Sequence, residues 1–359
     1  MEESSWRKVC VDPQTTIRDV LVAINRGGVG VALITQARKL IATVTDGDMR
    51  RALLDGQDLD STVSVLLSRK VSSHFGDPVT APAGTDQTTL LNLMRQNQVR
   101  HLPLIDEKDE IAGLVTLEQL LPDEVVPLQA VIMAGGYGRR LRPLTEELPK
   151  PMLPLRGRPL MERVVEQLRE AGIRRVNIST HYKSEKIIEH FGDGQDFGVE
   201  LSYVQEEEPL GTAGALGLME TPKEPLLVIN GDILTQMDFR ALLDYHREHT
   251  ATLTVTVRKY DLSVPYGVIT TDAESRVIGL QEKPLLSFFV NAGIYLLEPK
   301  AYDFIPKNER CDMNEVIQAL LDNGEKVVSF PIHEYWIDIG QDSDYLKAQE
   351  DIENGRLEV

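Results

Sequence analysis

The sequence is poor in cysteine and lacks any long apolar run. Only Cys10 and Cys311 occur among its 359 residues, so we expect two reduced thiols and neither a disulfide framework nor a cysteine-based metal site. No apolar stretch approaches the roughly 18 residues of a membrane helix. The N-terminus, MEESSWRKVC, has acidic residues where a secretory signal peptide has a basic region. These absences predict a cytoplasmic protein that does not span a membrane.

Positive charge is also scarce relative to negative charge. Lys and Arg number 38 against 56 Asp and Glu, which gives a formal net charge of −18. Such a surface repels nucleic acid and anionic lipid, so neither is an expected partner. An anionic substrate must then be met by a local group of cations. Basic residues inside a glycine-rich loop are therefore especially informative here.

The length and composition indicate two globular domains. A chain of 359 residues with 42% hydrophobic and 26% charged residues suits two separate apolar cores. The stretch LPDEVVPLQ, residues 121–129, places two prolines and acidic residues between periodic segments, which is typical of a linker. We predict one domain over residues 1–122 and a second over residues 128–359.

Residues 1 to about 122 contain an internal repeat. The segments LIATVTDGDMRRALL, from Leu40, and IAGLVTLEQLL, from Ile111, share an apolar strand pattern that ends in threonine and leads into a helical pattern. A helical stretch and a short apolar strand precede each of them, so both halves read helix, strand, strand, helix. Units of about 60 residues bury little surface alone, so we expect the halves to pack together.

This repeat resembles a pair of CBS motifs, a module that binds adenine nucleotides in the cleft between its halves. In that family a threonine and an aspartate three residues later hold the ribose hydroxyls, and Thr45 and Asp48 match this pattern. The second half departs from it, because Gln119 stands three residues after Thr116. The resemblance implies an adenine nucleotide at Thr45 and Asp48 and a homo-oligomer, a dimer through the CBS pair. The alternative is that Asp48 caps the helix that follows.

The second domain alternates between short apolar runs and helical patterns. The runs AVIMAG, RVNIST, PLLVING and TLTVTVRKY are separated by helical patterns such as LMERVVEQLREAG and FRALLDYHREH. This alternation predicts an α/β domain with a mostly parallel sheet that helices cover on both faces. In such sheets ligands bind beyond the carboxyl ends of the strands.

A glycine-rich loop with basic residues follows the first of these strands. It reads AGGYGRRLRPLT from Ala134, and LPKP follows from Leu148. Glycines allow backbone N–H groups to approach phosphate oxygens, and Arg140 and Lys150 supply positive charge. The loop is neither a Walker loop nor the dinucleotide-binding fingerprint, which needs a glycine where Leu141 stands.

This run resembles the signature of the sugar nucleotidyltransferases, GGxG[ST]RLxPLT followed by PKP. The resemblance covers residues 128 to about 350 and implies a Rossmann-like, GT-A-like catalytic domain behind the α+β CBS pair. The nucleotide-binding residues that it implies in the loop are Ala134, Gly135, Gly136, Gly138 and Arg139. Arg139 departs from the signature, which has Ser or Thr there, and the extra cation either serves the phosphates or crowds the loop.

The segment EEEPLGTAG, from Glu206, resembles the base-reading segment of guanylyltransferases. A carboxylate accepts two hydrogens from guanine, at N1 and the exocyclic amine, whereas uracil and thymine each present one imide hydrogen between two acceptors. Glu206 therefore favours guanine, and Gly211 belongs to the same nucleotide-binding element. The alternative is that the acidic triplet is a solvated loop, as such charge runs usually are.

Two aspartates stand where the resemblance implies a catalytic metal. Asp232 follows the apolar strand LLVIN and Gly231, and Asp338 lies in WIDIG near the end of the sequence. Carboxylates that converge with triphosphate oxygens suit Mg²⁺, a hard cation that prefers oxygen ligands. The alternative for a strand-end aspartate is a turn former. We predict Mg²⁺ as the cofactor, with Asp232 and Asp338 as its ligands.

Three segments between these aspartates, YGV, EKP and NAG, resemble family elements that hold the sugar phosphate. Each alone is a common turn or loop, and it is their order that favours a functional reading. The residues that the resemblance implies for the sugar phosphate are Gly267, Glu282, Lys283, Asn291 and Ala292.

Together the motifs predict transfer of a nucleoside monophosphate from a triphosphate, GTP before others, to a hexose-1-phosphate. The products would be an NDP-sugar and pyrophosphate, and the candidate sugars are glucosamine-1-phosphate and mannose-1-phosphate. Arg140, Lys150 and Asp232 would be catalytic through positioning and charge neutralisation. Two alternatives stay open: a dTDP-, UDP- or CDP-sugar pyrophosphorylase, and a nucleotide-sensing regulatory protein that binds without turnover.

Overall fold

The chain folds into two compact units, residues 1–124 and residues 125–359. The structure is a computed structural model that describes residues 6–70, 77–120, 126 and 128–357. Most of the predicted linker, residues 121–125 and 127, lies outside the described residues. Among the described helices, none has the length and apolar character that crossing a membrane requires.

The first unit is built from two copies of one arrangement. Both sheets place a short strand parallel to a second strand and a third strand antiparallel to it, with an irregularity in the same place of the antiparallel pair. The predicted order of helix, strand, strand, helix is present in both halves. The elements are β1 (Cys10–Val11), α1 (Ile17–Gly27), β2 (Val31–Gln36), β3 (Lys39–Thr45), α2 (Asp46–Leu54), α3 (Ser64–Lys70), β4 (Ala81–Pro82), α4 (Gln87–Asn97), β5 (His101–Ile105), β6 (Ile111–Thr116) and α5 (Leu117–Leu120).

The two halves of the first unit pack against each other, as their small size predicts. Each half has its own apolar cluster, and a further cluster contains the buried residues Val9, Leu33 and Ile111 from both halves. Lys39 and Asp109 form an ion pair of 3.0 Å across the same junction. The shared cluster buries apolar area that neither half covers alone.

The second unit contains a seven-stranded sheet in the order β11-β10-β7-β12-β17-β14-β18. Six of these strands run in one direction, and only β17 runs antiparallel to its neighbours. The strands are β7 (Gln129–Met133), β8 (Pro154–Leu155), β9 (Arg158–Pro159), β10 (Arg175–Thr180), β11 (Glu200–Gln205), β12 (Leu226–Asn230), β13 (Ile233–Thr235), β14 (Leu253–Ser263), β15 (Val268–Thr271), β16 (Val277–Gln281), β17 (Leu285–Leu297), β18 (Val327–Ile332) and β19 (Trp336–Asp338). The helices are α6 (Leu160–Glu170), α7 (Ser184–Phe191), α8 (Gly211–Gly214), α9 (Phe239–Glu248), α10 (Met313–Asp322) and α11 (Asp342–Glu353).

Helices cover both faces of this sheet, which confirms the predicted α/β architecture. Along β12, Leu227 and Ile229 pack into a cluster with residues of α6, α7 and α9. Leu226 and Val228, which alternate with them, pack into a second cluster with residues of α10. Because successive strand residues point to opposite faces, one continuous apolar run fills two cores.

One part of the second unit extends beyond the sheet. The outer half of β14 and the outer half of β17 pair only with each other from Lys259–Phe289 to Ser263–Leu285, and β15 pairs with β16 beyond them. We call residues 259–290 the arm. None of its residues is buried.

Candidate active site

The glycine-rich loop starts at the carboxyl end of β7, in the middle of the sheet. Ala134 N donates to Ser179 O over 2.9 Å, which ties the start of the loop to β10. Gly136 is exposed, and a Cβ there would meet no atom within 4 Å. Gly138 has φ +61°, and a Cβ there would lie 2.8 Å from Thr145 Cγ2. The loop therefore needs glycine at Gly138 for its own folding, whereas Gly136 leaves the backbone open to a ligand.

Two exposed arginines follow the loop, in a short 3-10 helix over Arg139–Leu141. The Arg139 guanidinium lies over the Tyr137 ring, 4.9 Å from its centroid. Leu141 is fully buried in a cluster that also contains Ile337 and Ile339. Because the buried Leu141 fixes this turn, Arg139 and Arg140 are held next to the glycine-rich loop.

Lys150 and Asp232 form an ion pair next to the loop. Lys150 Nζ donates to Asp232 Oδ2 over 2.5 Å, and both side chains are at least half-buried. Asp232 follows β12, and Gly231 N donates to Met133 O over 2.9 Å. The pair therefore joins the segment after β7 to the carboxyl end of β12, where ligands bind in open α/β sheets.

Asp338 lies beside Asp232 although 105 residues separate them in sequence. β13 pairs with β19 so that Ile233 faces Asp338, and Ile339 N donates to Asp232 O over 3.0 Å. Ile337 and Ile339 are buried, so the alternation of the strand turns Asp338 to the opposite, open side. The pairing thus makes the backbones of Asp232 and Asp338 neighbours, and their role as joint metal ligands stays a prediction.

The electrostatics of the two carboxylates fit a divalent cation. Desolvation by the surrounding protein, followed by the charge of Asp232, raises the pKa of Asp338, while Lys150 and Arg140 lower it. A Cβ at Gly340 would lie 3.8 Å from Asp338 Oδ1 and 3.9 Å from Arg140 Nη1. A second positive charge between the carboxylates would relieve their repulsion, and their oxygens are the donors that Mg²⁺ prefers.

Glu206 is placed at the end of β11 and is only 8% exposed, whereas Glu207 and Glu208 are exposed. Its carboxylate accepts hydrogen bonds from Ser179 Oγ and, over 2.8 Å, from Leu210 N. A Cβ at Gly135 would lie 2.5 Å from Glu206 Oε1. Glu206 therefore stands directly behind the glycine-rich loop and shapes it.

Gly211 begins the helical turn α8, where the chain passes close to α10. Its φ is +84°, and a Cβ would lie 2.5 Å from Asp312 Oδ1 and 2.7 Å from Cys311 O. Thr212 N donates to Asp312 Oδ1 over 3.0 Å, and Met313 N donates to Thr212 Oγ1 over 2.9 Å. These reciprocal bonds fix the PLGTAG segment to the N-terminus of α10.

A cavity of about 300 Å³ opens beside Asp338. Asn291 forms part of its wall, where its amide donates to Tyr295 Oη over 2.9 Å and to Asn314 Oδ1 over 3.2 Å. Ala292 O accepts from Trp336 Nε1 over 2.9 Å. The lining residues are Thr212, Asn230, Ile233, Asn291, Ala292, Gly293, Tyr295, Asp312, Asn314, Trp336 and Asp338.

The other residues predicted for the sugar phosphate are not among those that line this cavity. Gly267, Glu282 and Lys283 belong to the arm, are exposed, and are absent from the lining of the cavity. Gly267 and Glu282 are neighbours, because a Cβ at Gly267 would lie 3.0 Å from Glu282 Oε2. The structure thus brings Asn291 and Ala292 to the cavity, and the sugar-phosphate role of the arm residues stays a prediction.

In the first unit, Thr45 and Asp48 form a capping box at the start of α2. Thr45 N and Oγ1 donate to Asp48 Oδ2 over 2.9 and 3.0 Å. Thr116 and Gln119 repeat this geometry in the second half, since Thr116 N donates to Gln119 Oε1 over 3.2 Å. The helix-capping alternative is therefore observed, and the adenine-nucleotide role of Thr45 and Asp48 stays a prediction.

Several residues of the site carry no sequence signal. Asn230, Asp312 and Asn314 line the cavity, yet Asn230 reads as a strand end and the other two as the start of a helix. Trp336 lies in the WIDIG segment around Asp338, which is its one signal in the sequence. Its bond to Ala292 O depends on the approach of two distant segments, which the sequence does not predict.

The fold and site define a class: an α/β protein with an open glycine-rich loop flanked by basic residues and with two neighbouring aspartates at the carboxyl ends of its strands. Residues 129–355 match the nucleotidyl transferase family, and residues 5–55 and 69–122 match the CBS domain. The chain belongs to the nucleotidyl transferase family, with CBS domains in front of the transferase domain.

Known relatives match slightly less than two thirds of this chain. A mannose-1-phosphate guanylyltransferase of Mycobacterium tuberculosis is 36% identical over 234 residues, 64% of this chain and 65% of that protein. A UTP–glucose-1-phosphate uridylyltransferase of Synechocystis is 33% identical over 241 residues, 62% of each chain. This chain therefore spans less than two thirds of the length of these relatives. A solved Bacillus anthracis protein assigned as a glucose-1-phosphate thymidylyltransferase aligns over 62% of this chain and 94% of its own, with 25% identity and a TM-score of 0.51.

Proposed function

We propose that this protein is a sugar-1-phosphate nucleotidyltransferase, which forms an NDP-sugar and pyrophosphate from a nucleoside triphosphate and a hexose-1-phosphate. One observation carries the proposal: Lys150, Asp232, Asp338 and Arg140 converge beside an open glycine-rich loop. In a chain of net charge −18, the two cations Lys150 and Arg140, beside carboxylates that suit a divalent metal ion, favour a polyphosphate as the ligand. The family match supports the same reaction.

The reaction needs no nucleophile from the protein. An oxygen of the sugar phosphate attacks the α-phosphorus of the triphosphate, and the bond from that phosphorus to the bridging oxygen of the β-phosphate breaks. Pyrophosphate leaves with the bonding electrons. Arg140 would neutralise charge on the triphosphate, and Lys150, paired with Asp232, would hold the reacting phosphates together.

Asp232 and Asp338 are the residues that would hold Mg²⁺. When bound, this ion neutralises phosphate oxygens and helps to orient the triphosphate. The role of the chain is to keep two carboxylates close together despite their repulsion. The β13–β19 pairing and the bond from Ile339 N to Asp232 O do this.

We propose GTP as the preferred nucleotide. The support is the guanylyltransferase names of relatives at 34–36% identity, while the buried carboxylate of Glu206 already accepts from Ser179 Oγ and Leu210 N. A Glu206→Gln variant distinguishes base reading from loop shaping. A rise in KM for GTP with an unchanged KM for UTP would indicate base reading, whereas equal losses for all nucleotides would indicate loop shaping.

The acceptor is proposed to be glucosamine-1-phosphate or mannose-1-phosphate, bound in the cavity beside Asp338. Amide groups dominate its polar wall, at Asn230, Asn291 and Asn314, and amides both donate to and accept from sugar hydroxyls. With a volume of about 300 Å³ the cavity has room for a hexose ring.

The test is a pyrophosphate-release assay of the full chain with Mg²⁺, in which four nucleoside triphosphates are crossed with a panel of sugar-1-phosphates. We expect GTP with glucosamine-1-phosphate or mannose-1-phosphate to give the fastest release. Faster release with dTTP, UTP or CTP would move the assignment to another base. Silence with every pair, while nucleotide still binds in calorimetry, would favour a regulatory protein without turnover.

We also propose that the CBS pair binds an adenine nucleotide at Thr45 and Asp48. The match to the CBS domain supports this, as does the position of both residues at the helix N-terminus of α2. Calorimetry of the full chain with AMP and ATP should show binding that Thr45→Val weakens. Equal binding by the wild type and this variant would assign the pair a capping role only.

A further inference from the structure

The arm, residues 259–290, exposes an unusual amount of apolar surface. Twelve of the nineteen exposed large apolar side chains of the described residues lie in it. Tyr266 and Leu280, for example, are 74% and 67% exposed. Monomeric proteins rarely leave such side chains contiguous, and larger exposed patches mark interaction sites.

The arm is apolar on both faces, not only on one. In β17 the neighbours Leu285 and Leu286, and then Phe288 and Phe289, are all exposed. Neighbouring residues of a strand point to opposite faces, so each face of the ribbon carries both an aliphatic and an aromatic side chain. Strands of this composition are typical of sheets that are covered on both sides.

The edges of the arm are also open in the described structure. β18 ends opposite Arg258 and β12 ends opposite Ile294, so from Lys259 and Val290 outward the two strands have only each other. A two-stranded ribbon is only marginally stable in water by itself, and an unpaired apolar edge readily pairs with another strand. The arm therefore offers both apolar faces and backbone hydrogen-bonding groups to a partner.

The charge of the arm favours a second copy of this chain as the partner. The whole chain carries −18, so two copies repel each other over most of their surface. The arm, in contrast, contains three basic and four acidic residues and carries a net charge of only −1. Several of these charges are paired within the arm, such as Arg276 with Asp272 at 2.9 Å and Lys259 with Asp261 at 3.5 Å. The arm is thus a surface on which two copies of this acidic chain can meet with little repulsion.

Area and symmetry agree with a second copy. The four aromatic side chains Tyr260, Tyr266, Phe288 and Phe289 expose roughly 400 Å² at 150–250 Å² each. The aliphatic side chains bring the apolar area toward the roughly 800 Å² that each partner contributes to a stable interface. A strand can also pair antiparallel with its own copy about a two-fold axis, because the same residues then meet from both sides.

We propose that the arm is a homodimer interface, in which the arms of two chains cover each other. This interface is distinct from an association through the CBS pair and does not depend on the proposed reaction. Its occupant is a second copy of the chain. The other candidates, the cavity of the same chain or a lipid surface, are separated from it by the experiment below.

The test is sedimentation velocity of the full chain over a range of concentrations. The wild type should sediment as a species of twice 40.2 kDa. Leu280→Glu and Phe288→Glu each place a charge on the exposed arm and should raise the dimer dissociation constant about 30-fold or more, as expected for an interface hot spot. Leu321→Glu and Leu346→Glu are matched controls, because these leucines are 50% and 58% exposed but lie on α10 and α11. The controls should dimerise like the wild type.

Each other outcome contradicts the proposal. A wild type that stays monomeric overturns it, and arm variants that remain dimeric show that another surface, such as the CBS pair, holds the dimer. A monomer whose arm variants change only the KM for a sugar phosphate shows that the arm covers its own site. Cosedimentation of the wild-type monomer with phosphatidylcholine vesicles, lost in the arm variants, shows a lipid surface instead. Circular dichroism of each variant separates these outcomes from misfolding.

Discussion

A single methyl group added at Gly211 should push the PLGTAG segment of the candidate site away from α10. In Gly211→Ala the new Cβ lies 2.5 Å from Asp312 Oδ1 and 2.7 Å from Cys311 O, and a backbone oxygen cannot rotate away. The PLGTAG segment must move from α10. The bonds from Thr212 N to Asp312 Oδ1 and from Met313 N to Thr212 Oγ1 are then lost or stretched.

The cost follows from these contacts. A left-handed φ costs an alanine about 1 kcal/mol, and each lost hydrogen bond costs about 1 kcal/mol more. The free energy of unfolding should therefore fall by about 3 kcal/mol, which corresponds to roughly 6–12 °C in Tm for a unit of this size. Gly324→Ala is the matched control. Gly324 has φ +72° near the other end of α10, and its Cβ would meet no atom within 4 Å, so only the backbone cost of about 1 kcal/mol applies.

Thermal and urea unfolding of both variants measure this difference, and calorimetry with GTP measures its effect on the site. We expect Gly211→Ala to lose about 2 kcal/mol more than Gly324→Ala and to bind GTP more weakly, since α8 is displaced. Equal losses in stability for the two variants would refute the reasoning, because the cost would then be backbone conformation alone.

Three other predictions concern charge, close approach and pH. Asp232→Asn should lower pyrophosphate release about a hundredfold or more by freeing Lys150 and weakening the metal site, while Asp342→Asn at the exposed start of α11 should leave it unchanged. Gly135→Ala should weaken GTP binding in calorimetry, because its Cβ would lie 2.5 Å from the buried Glu206 carboxylate. Burial lowers the pKa of His246, so the folded state binds fewer protons than the unfolded state and stability falls as pH drops below about 6.5. Urea unfolding at pH about 7 and about 5.5 should show a smaller loss for His246→Gln, and an unchanged loss would contradict the assignment.

Local patterns in the sequence predict much of this fold. The run RVNIST coincides with β10, and the predicted helix from Leu160 is α6. Both follow from periodicity, because an apolar run bounded by polar residues and an amphipathic stretch of three turns each have one compact solution. The mostly parallel sheet follows from the alternation of such segments.

Long-range pairing is what the sequence leaves open. The expectation that Asp232 and Asp338 lie together came from a family resemblance, and the contact itself depends on β13, a strand of only three residues. No periodicity marks so short a strand. The arm is a second example: YGV and EKP lie in a ribbon whose strand pairing no local pattern predicts, and their role at the sugar site stays a prediction. Register between distant segments is decided by packing that local patterns do not encode.

The two aspartates lie at a strand pair outside the seven-stranded sheet, and a separate small core supports this pair. β13 and β19 form a separate two-stranded pair and do not belong to the seven-stranded sheet. Their apolar residues Leu234 and Ile337 pack in the cluster that also holds Leu141 and the α11 residue Tyr345. One small core thus supports the arginine turn, the two aspartates and the last helix together. A change in that core should therefore alter the cation and carboxylate geometry at the same time, while the main sheet, which has its own two clusters, stays folded.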